Sequence, residues 1–180
     1  SIAMNVFMIV VMPVAGMSIA VSVLVGQKLG AGNAASAERL TYSATHLATV
    51  FFVAAGLVLV GLPEWFIKPF SNGMSAATYT ATVPIVEEIL GLVALFCVFE
   101  AVSMMMAGAL KGAGDTRFVA WASILCSWLF LVLPTAILVT LWNGPLFWCW
   151  AFFVVNGFAM FLLYWRRFKA ANWKQLKVIA

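Results

Sequence analysis

Residues 118–165 read FVAWASILCSWLFLVLPTAILVTLWNGPLFWCWAFFVVNGFAMFLLYW, and from Phe118 to Trp165 there is no Asp, Glu, Lys or Arg. A hydrocarbon core about 30 Å thick is crossed by about 20 apolar helical residues, because a helix satisfies its own backbone polar groups where no water can. The stretch is long enough for two crossings, and Trp142-Asn143-Gly144-Pro145 divides it with turn-forming residues. It predicts a helical hairpin in a membrane.

The rest of the chain has the same character. It is 65% hydrophobic and 9% charged, with a mean hydropathy of +1.08, a composition that excludes an ordinary water-soluble domain. Apolar segments bounded by charge or by Pro/Gly clusters give five spans, at about Ile2–Leu29, Tyr42–Leu62, Pro84–Leu110, Phe118–Leu141 and Leu146–Trp165. The expected fold is an all-α polytopic transmembrane bundle, with residues 1–168 as the membrane lobe and 169–180 as a basic tail. The chain opens on Ser1-Ile2-Ala3-Met4, with no initiator methionine, basic leader or cleavage motif, and reads as a piece of something longer.

Charge placement orients the spans. Lys28, Arg39, Lys111, Arg117, Arg166, Arg167, Lys169, Lys174 and Lys177 fall on one side, against Lys68 on the other. The positive-inside rule then puts the C-terminus in the cytoplasm and the N-terminus outside, in a cell (inner) membrane. The net charge of +4 therefore expresses orientation, and no nucleic-acid partner is expected. Trp65, Phe66, Trp142, Phe147 and Trp148 fall at the outer interface, and Tyr42, Tyr164, Trp165 and Trp173 at the inner one, where they read as anchors in contact with membrane lipid. Between the second and third spans, the segment Pro63–Val83 predicts a short interfacial helix capped by Ser71 or Asn72. Cys97, Cys126 and Cys149 have neither disulfide nor metal spacing and read as packing residues.

One ionisable residue stands out. Glu100 lies 11 positions before Lys111, roughly 16 Å along a helix and near the bilayer midplane. Acids at that depth face the protein interior or water and often mark ion or proton pathways. Helical spacing gathers Phe96, Cys97, Ser103, Met104, Ala107 and Gly108 on its face, several of them small or weakly polar. A carboxyl group that can hold either a proton or a cation can exchange one for the other; the alternative is a structural acid hydrogen-bonded to a partner helix. Cys97, Ser103, Met104 and Asn156 are candidate cavity-lining residues, with Asn156 also suited to joining two helices. The run Met104-Met105-Met106 suits either an adaptable apolar site or lipid-facing filler. Glu87 and Glu88 fall at the outer interface, and His46 lies just inside the inner one. Pro13 and Gly16 mark a candidate bend in the first span.

Two turns repeat a pattern. Lys28-Leu29-Gly30-Ala31-Gly32-Asn33 and Leu110-Lys111-Gly112-Ala113-Gly114-Asp115 each close a span with glycine and then offer an Asx cap to the next helix. The Gly26xxxGly30 and Gly108xxxGly112 pairs predict close helix approach. Neither turn carries the GxxxxGK[ST] phosphate motif, and a lone His excludes an HExxH zinc site, so no enzyme is expected.

The stretch Pro13–Ala20 leading to Val25-Gly26-Gln27-Lys28-Leu29-Gly30-Ala31-Gly32-Asn33, followed by Gly108-Ala109-Leu110-Lys111-Gly112-Ala113-Gly114-Asp115-Thr116-Arg117, closely resembles the multidrug and toxic compound extrusion (MATE) family. The likeness covers nearly the whole chain and corresponds to the eighth to twelfth helices of a twelve-helix transporter. It implies part of the C-terminal lobe of a secondary antiporter that exports organic, often cationic, small molecules in exchange for Na+ or H+, with no other cofactor. Glu100 stands at the family's intramembrane acid of the tenth helix, a dozen positions before Gly112, which makes it the implied coupling or substrate-cation residue and the implied Na+ ligand. The resemblance also implies a missing N-terminal lobe, supplied by the same gene or by a partner chain. A non-transporting scaffold fragment and a lipid-linked saccharide flippase of the same superfamily are the competing readings.

Overall fold

A computed structural model describes residues 2–62, 76–142, 144–171 and 173, and nearly all of the described chain is helical, with no strand among those residues. Helix α1 is Ile2–Gly30, α2 is Ala34–Gly61 and α3 is Ala76–Gly112. The fourth rod, α4, joins an α-helix Thr116–Cys126, π-helical turns Ser127–Val132, a short α-helix Leu133–Ile137 and further π-helical turns Leu138–Trp142. Helix α5 is Leu146–Lys169. All five are long and apolar enough to cross a membrane.

Several helices outrun their apolar spans. Helix α2 begins at Ala34, not near Tyr42, because the Asn33 side chain accepts from the Ser36 N–H at 3.0 Å and starts the helix before the apolar stretch does. Helix α5 runs on to Lys169, with Arg166, Arg167 and Lys169 in a last turn whose dipole favours positive charge. The segment Ala76–Val83 is continuous with α3, with Pro84 inside that helix, so over these residues there is no separate interfacial helix. Ser71, Asn72, Trp65, Phe66 and Lys68 lie outside the described residues. Helix α1 is unbroken from end to end with Pro13 inside it.

The π-helical turns have a cause in the sequence. Pro134 has no N–H to give, and its ring crowds the carbonyl four residues back. The ladder loosens ahead of it, so that the Leu133 N–H reaches the Trp128 carbonyl five residues back.

Helix α3 is the centre of the bundle and packs against α1, α2 and α5. Half of its apolar window is buried, against 28% or less for every other span. Val93, Phe96, Cys97, Ala101, Met105, Met106 and Leu110 are all buried on it, which removes Met105 and Met106 from the lipid surface. Helix α2 packs on α3 and α1 and buries a narrow stripe of Ala37, Thr41, Thr45, Ala48, Phe52, Gly56 and Leu59. Small residues make that contact close: a Cβ on Gly56 would lie 3.3 Å from the Ala94 Cβ. Thr41 and Thr45 donate to the Ala37 and Thr41 carbonyls at 2.9 and 2.8 Å, leaving no bare hydroxyl in the seam. By contrast α4 leans mainly on α5 and turns Trp121, Leu125, Trp128 and Leu129 outward, the dress of a helix solvated by lipid.

Candidate functional site

The site begins with a seam of small residues. Ser18, Ser22 and Gly26 recur every four positions on α1 and meet Met104, Gly108 and Gly112 on α3, so the two helices run parallel in close contact. A Cβ on Gly108 would stand 2.5 Å from the Ser18 carbonyl oxygen, one on Gly112 would collide with the Ser22 carbonyl, and one on Gly26 would come within 3.2 Å of the Gly112 carbonyl. Ser18 seals the seam by donating Oγ–H to the Met104 carbonyl at 2.7 Å. Gly30, by contrast, has nothing within 4 Å of its would-be Cβ, so the close approach uses Gly26, Gly108 and Gly112 without it.

Both glycine turns close in the same way. Gly32 (φ +73°) and Gly114 (φ +87°) take the left-handed conformation. Around the first, Asn33 N–H bonds Lys28 O and Gly32 N–H bonds Leu29 O; around the second, Asp115 N–H bonds Leu110 O and Gly114 N–H bonds Lys111 O, all at 2.9–3.0 Å. The caps then diverge. Asn33 caps α2, whereas Asp115 makes no cap bond to α4: its carboxylate accepts from Arg167 Nε at 2.7 Å instead. A charge-assisted bond outcompetes a neutral amide for the same oxygen.

Against this seam lies a cavity of about 220 Å³ between α1, α3, α4 and α5, lined by Ser18, Glu100, Ser103, Met104, Ala107, Lys111, Val119, Ser123, Met160 and Tyr164. Its hydroxyls share one habit. Ser18 donates to Met104 O, Ser103 donates to Phe99 O at 2.9 Å, and Ser123 donates to Val119 O at 2.7 Å. Tyr164 Oη lies 2.9 Å from Ser123 Oγ and 3.3 Å from Val119 O, so both hydroxyl protons of that pair are taken up within the ring of three oxygens. The hydroxyls therefore offer the cavity only oxygen lone pairs, and Lys111 is the cationic residue in its lining. Glu100, half-buried, makes no hydrogen bond or ion pair among the described residues. A carboxylate among acceptors welcomes what they lack: a proton or a cation.

Of the residues gathered on the Glu100 face from sequence, Ser103, Met104 and Ala107 meet Glu100 in this cavity. Cys97 is wholly buried in the core and outside that lining. Asn156 is buried on α5, one turn from Met160, and its Oδ1 has no hydrogen-bond partner among the described residues. Gly16 borders open space on α1. No three-membered group of His, Cys, Asp and Glu capable of holding a metal exists among the described residues, so any cation here would rest on one carboxylate and neutral oxygens. Sequence reading missed Ser18, Lys111, Ser123, Met160 and Tyr164. Tyr164 was placed with the interfacial anchors, but it is buried with its hydroxyl in the cavity. Its signal was the four-residue spacing of Asn156, Met160 and Tyr164 along α5. Trp173 is likewise buried, stacked on Phe168 at 4.8 Å. A larger groove of about 430 Å³ between α1 and α2, bordered by Met17, Val21, Leu24 and Leu47, has no charged residue in its lining.

Five helices among the described residues long and apolar enough to cross a membrane, four of them around a half-buried carboxylate, define an integral membrane protein. The MatE family profile matches residues 1–138, and the chain belongs to that family. It is 29% identical over 127 residues to "Multidrug resistance protein NorM" of Burkholderia vietnamiensis, covering 71% of this chain and 27% of the relative. It is 27% identical over 174 residues to "Probable multidrug resistance protein NorM" of Mannheimia succiniciproducens, covering 93% and 36%. A third relative, "Probable multidrug resistance protein NorM" of Mesorhizobium japonicum, is 32% identical over 117 residues, covering 65% and 25%. The chain thus spans about a quarter to a third of the length of these curated relatives.

Proposed function

We propose that this chain is the C-terminal lobe, eighth to twelfth helices, of a MATE-type secondary antiporter that exports organic, often cationic, compounds in exchange for Na+ or H+. The observation that carries the reading is the acceptor-lined cavity around Glu100. An intramembrane carboxylate with no hydrogen bond or ion pair among the described residues is stabilised in that setting by a proton or a cation, and a group that accepts either can trade them. A cavity of about 220 Å³ falls below the roughly 300–1,000 Å³ of drug-sized pockets, so in this lobe it suits the coupling ion, while the organic substrate is held between lobes. Transport and not catalysis is the activity, and a Na+ ion at Glu100 is cargo.

The same reading assigns the rest of the molecule. Repeat-built transporters move one half against the other around a central site, so the N-terminal lobe is the required partner. The basic residues at the Gly-Ala-Gly ends and in the last turn of α5 support a cytoplasmic side for those ends, with the N-terminus of α1 outside, in the cell membrane. Residues 1–168 then form the membrane lobe and 169–180 the tail. Pro13 and Gly16 would let α1 flex as the lobes rock.

The test is efflux of a fluorescent organic cation, ethidium, from proteoliposomes holding the full-length transporter that contains this chain. An imposed inward Na+ or H+ gradient drives export if the proposal holds. If neither gradient does, antiport is wrong.

A further inference from the structure

One turn beyond Tyr164 on α5, Arg167 makes two contacts with the start of α4. Its Nε donates to the Asp115 carboxylate at 2.7 Å, and its guanidinium lies over the Phe118 ring, 4.9 Å from the centroid. The Phe118 ring in turn meets Tyr164 edge to face, with centroids 6.4 Å apart. Arg167, Phe118 and Tyr164 therefore stack as one unit, pinned at one end by Asp115 and at the other by the bond between Tyr164 Oη and Ser123 Oγ. The Asp115 side chain is 10% exposed and that of Arg167 is 32%, so the carboxylate end of the pair is sheltered while the guanidinium keeps part of its surface open.

We propose that Asp115 and Arg167 are positioning residues that set the cation affinity of the Glu100 cavity through Tyr164, without touching the cation themselves. This rests on the reading of Glu100 as the coupling site. The argument follows from the proton count. While the clasp holds the end of α5 to the start of α4, the Tyr164 proton stays within the Ser123 and Val119 oxygens, and the hydroxyls of the cavity present only lone pairs beside Lys111. With the clasp broken, the last turns of α5 are free to shift along α4, the Tyr164–Ser123 bond is lost, and the hydroxyl turns its proton into the cavity. A donor replaces an acceptor where the cation binds. The Glu100 carboxylate satisfies that donor, and the cation must displace it. Among the cavity-lining residues the other ionisable groups are Lys111 on α3 and Tyr164 itself; α1 and α4 contribute none.

The experiment is carbodiimide labelling of Glu100 in the full-length transporter in native membranes, read by mass spectrometry as a function of Na+ concentration and, in a second arm, of pH. Carbodiimides modify protonated carboxyls, and an occupying cation protects. In Asp115→Asn and Arg167→Met the half-protection point moves to higher Na+, or, where Na+ gives no protection, the labelling midpoint falls to lower pH because the new donor favours the anion, by at least about fivefold in cation or proton concentration, the scale of one lost hydrogen bond to a charged group. Tyr164→Phe removes the intruding donor. Adding Arg167→Met to Tyr164→Phe therefore changes the midpoint no further, and the exchanged pair Asp115→Arg/Arg167→Asp returns it toward wild type. The proposal is overturned if the clasp variants label as wild type does, or if their shifts persist in the Tyr164→Phe background, which would show them acting by another route. A wild-type Glu100 that takes no label at any pH sinks the coupling-site reading and this inference with it, whereas a labelled, protectable Glu100 with unmoved clasp variants sinks this inference alone.

Discussion

The Ser18 hydroxyl of α1 donates to the Met104 carbonyl of α3 at 2.7 Å, across 86 positions of sequence. This bond sits in the seam where Gly108 and Gly112 let the two backbones touch, and it also turns the Ser18 proton away from the Glu100 cavity. Helices in lipid gain nothing from burying apolar surface against each other, so close packing and such hydrogen bonds supply their association.

Ser18→Ala should cost about 0.6 kcal/mol, the average for an interhelical hydrogen bond in a membrane protein. Thermal unfolding of the detergent-solubilised protein measures it. A loss of several kcal/mol would mean that the serine does more than bridge two helices.

Gly108→Ala and Gly112→Ala should each destabilise by about 1–3 kcal/mol, because a Cβ there meets a backbone carbonyl of α1 that has nowhere to go. Gly16→Ala and Gly30→Ala place a Cβ in open space and should stay within about 0.5 kcal/mol of wild type. Equal effects at Gly108 and Gly30 would contradict the seam.

Gly114→Ala should cost about 1–2 kcal/mol through its left-handed backbone, φ +87°, with open space around it. Gly114→Asn should recover part of that, since Asn tolerates this conformation. Unfolding midpoints of the two variants decide the point, and identical values would argue against a backbone origin.

Much of this was legible in the chain itself. Long apolar runs between charged turns gave five spans, and the depth of Glu100 singled it out, because both follow from the energetics of lipid alone. What hydropathy could not give was the side of each helix. Tyr164 beside Trp165 and Arg166 has the look of an interfacial anchor, and only the packing of α5 on α4 turns its hydroxyl inward to Ser123. Asp115 reads as a helix cap until Arg167, 52 residues later, arrives to take its carboxylate. Met105 and Met106 suit either an adaptable site or lipid-facing filler until α3 proves to be packed against three other helices. Residues near in space and far in sequence leave no local signal.

Asn156→Leu should leave stability unchanged or raised, since the buried Oδ1 has no hydrogen bond among the described residues to lose and an apolar replacement spares its desolvation. Unfolding in detergent again measures it. A marked loss of stability would reveal a partner for the amide.

The central claim is that Glu100 trades one positively charged passenger for another. The most direct measurement is ion release or uptake, followed with a pH- or sodium-sensitive dye inside proteoliposomes of the full-length transporter, when ethidium is added to wild type and to Glu100→Gln. Wild type should move protons or sodium in step with ethidium, and Glu100→Gln should lose that linked ion movement by at least about tenfold, the size of one abolished charge interaction. Undiminished ion movement in a folded Glu100→Gln protein would contradict the account.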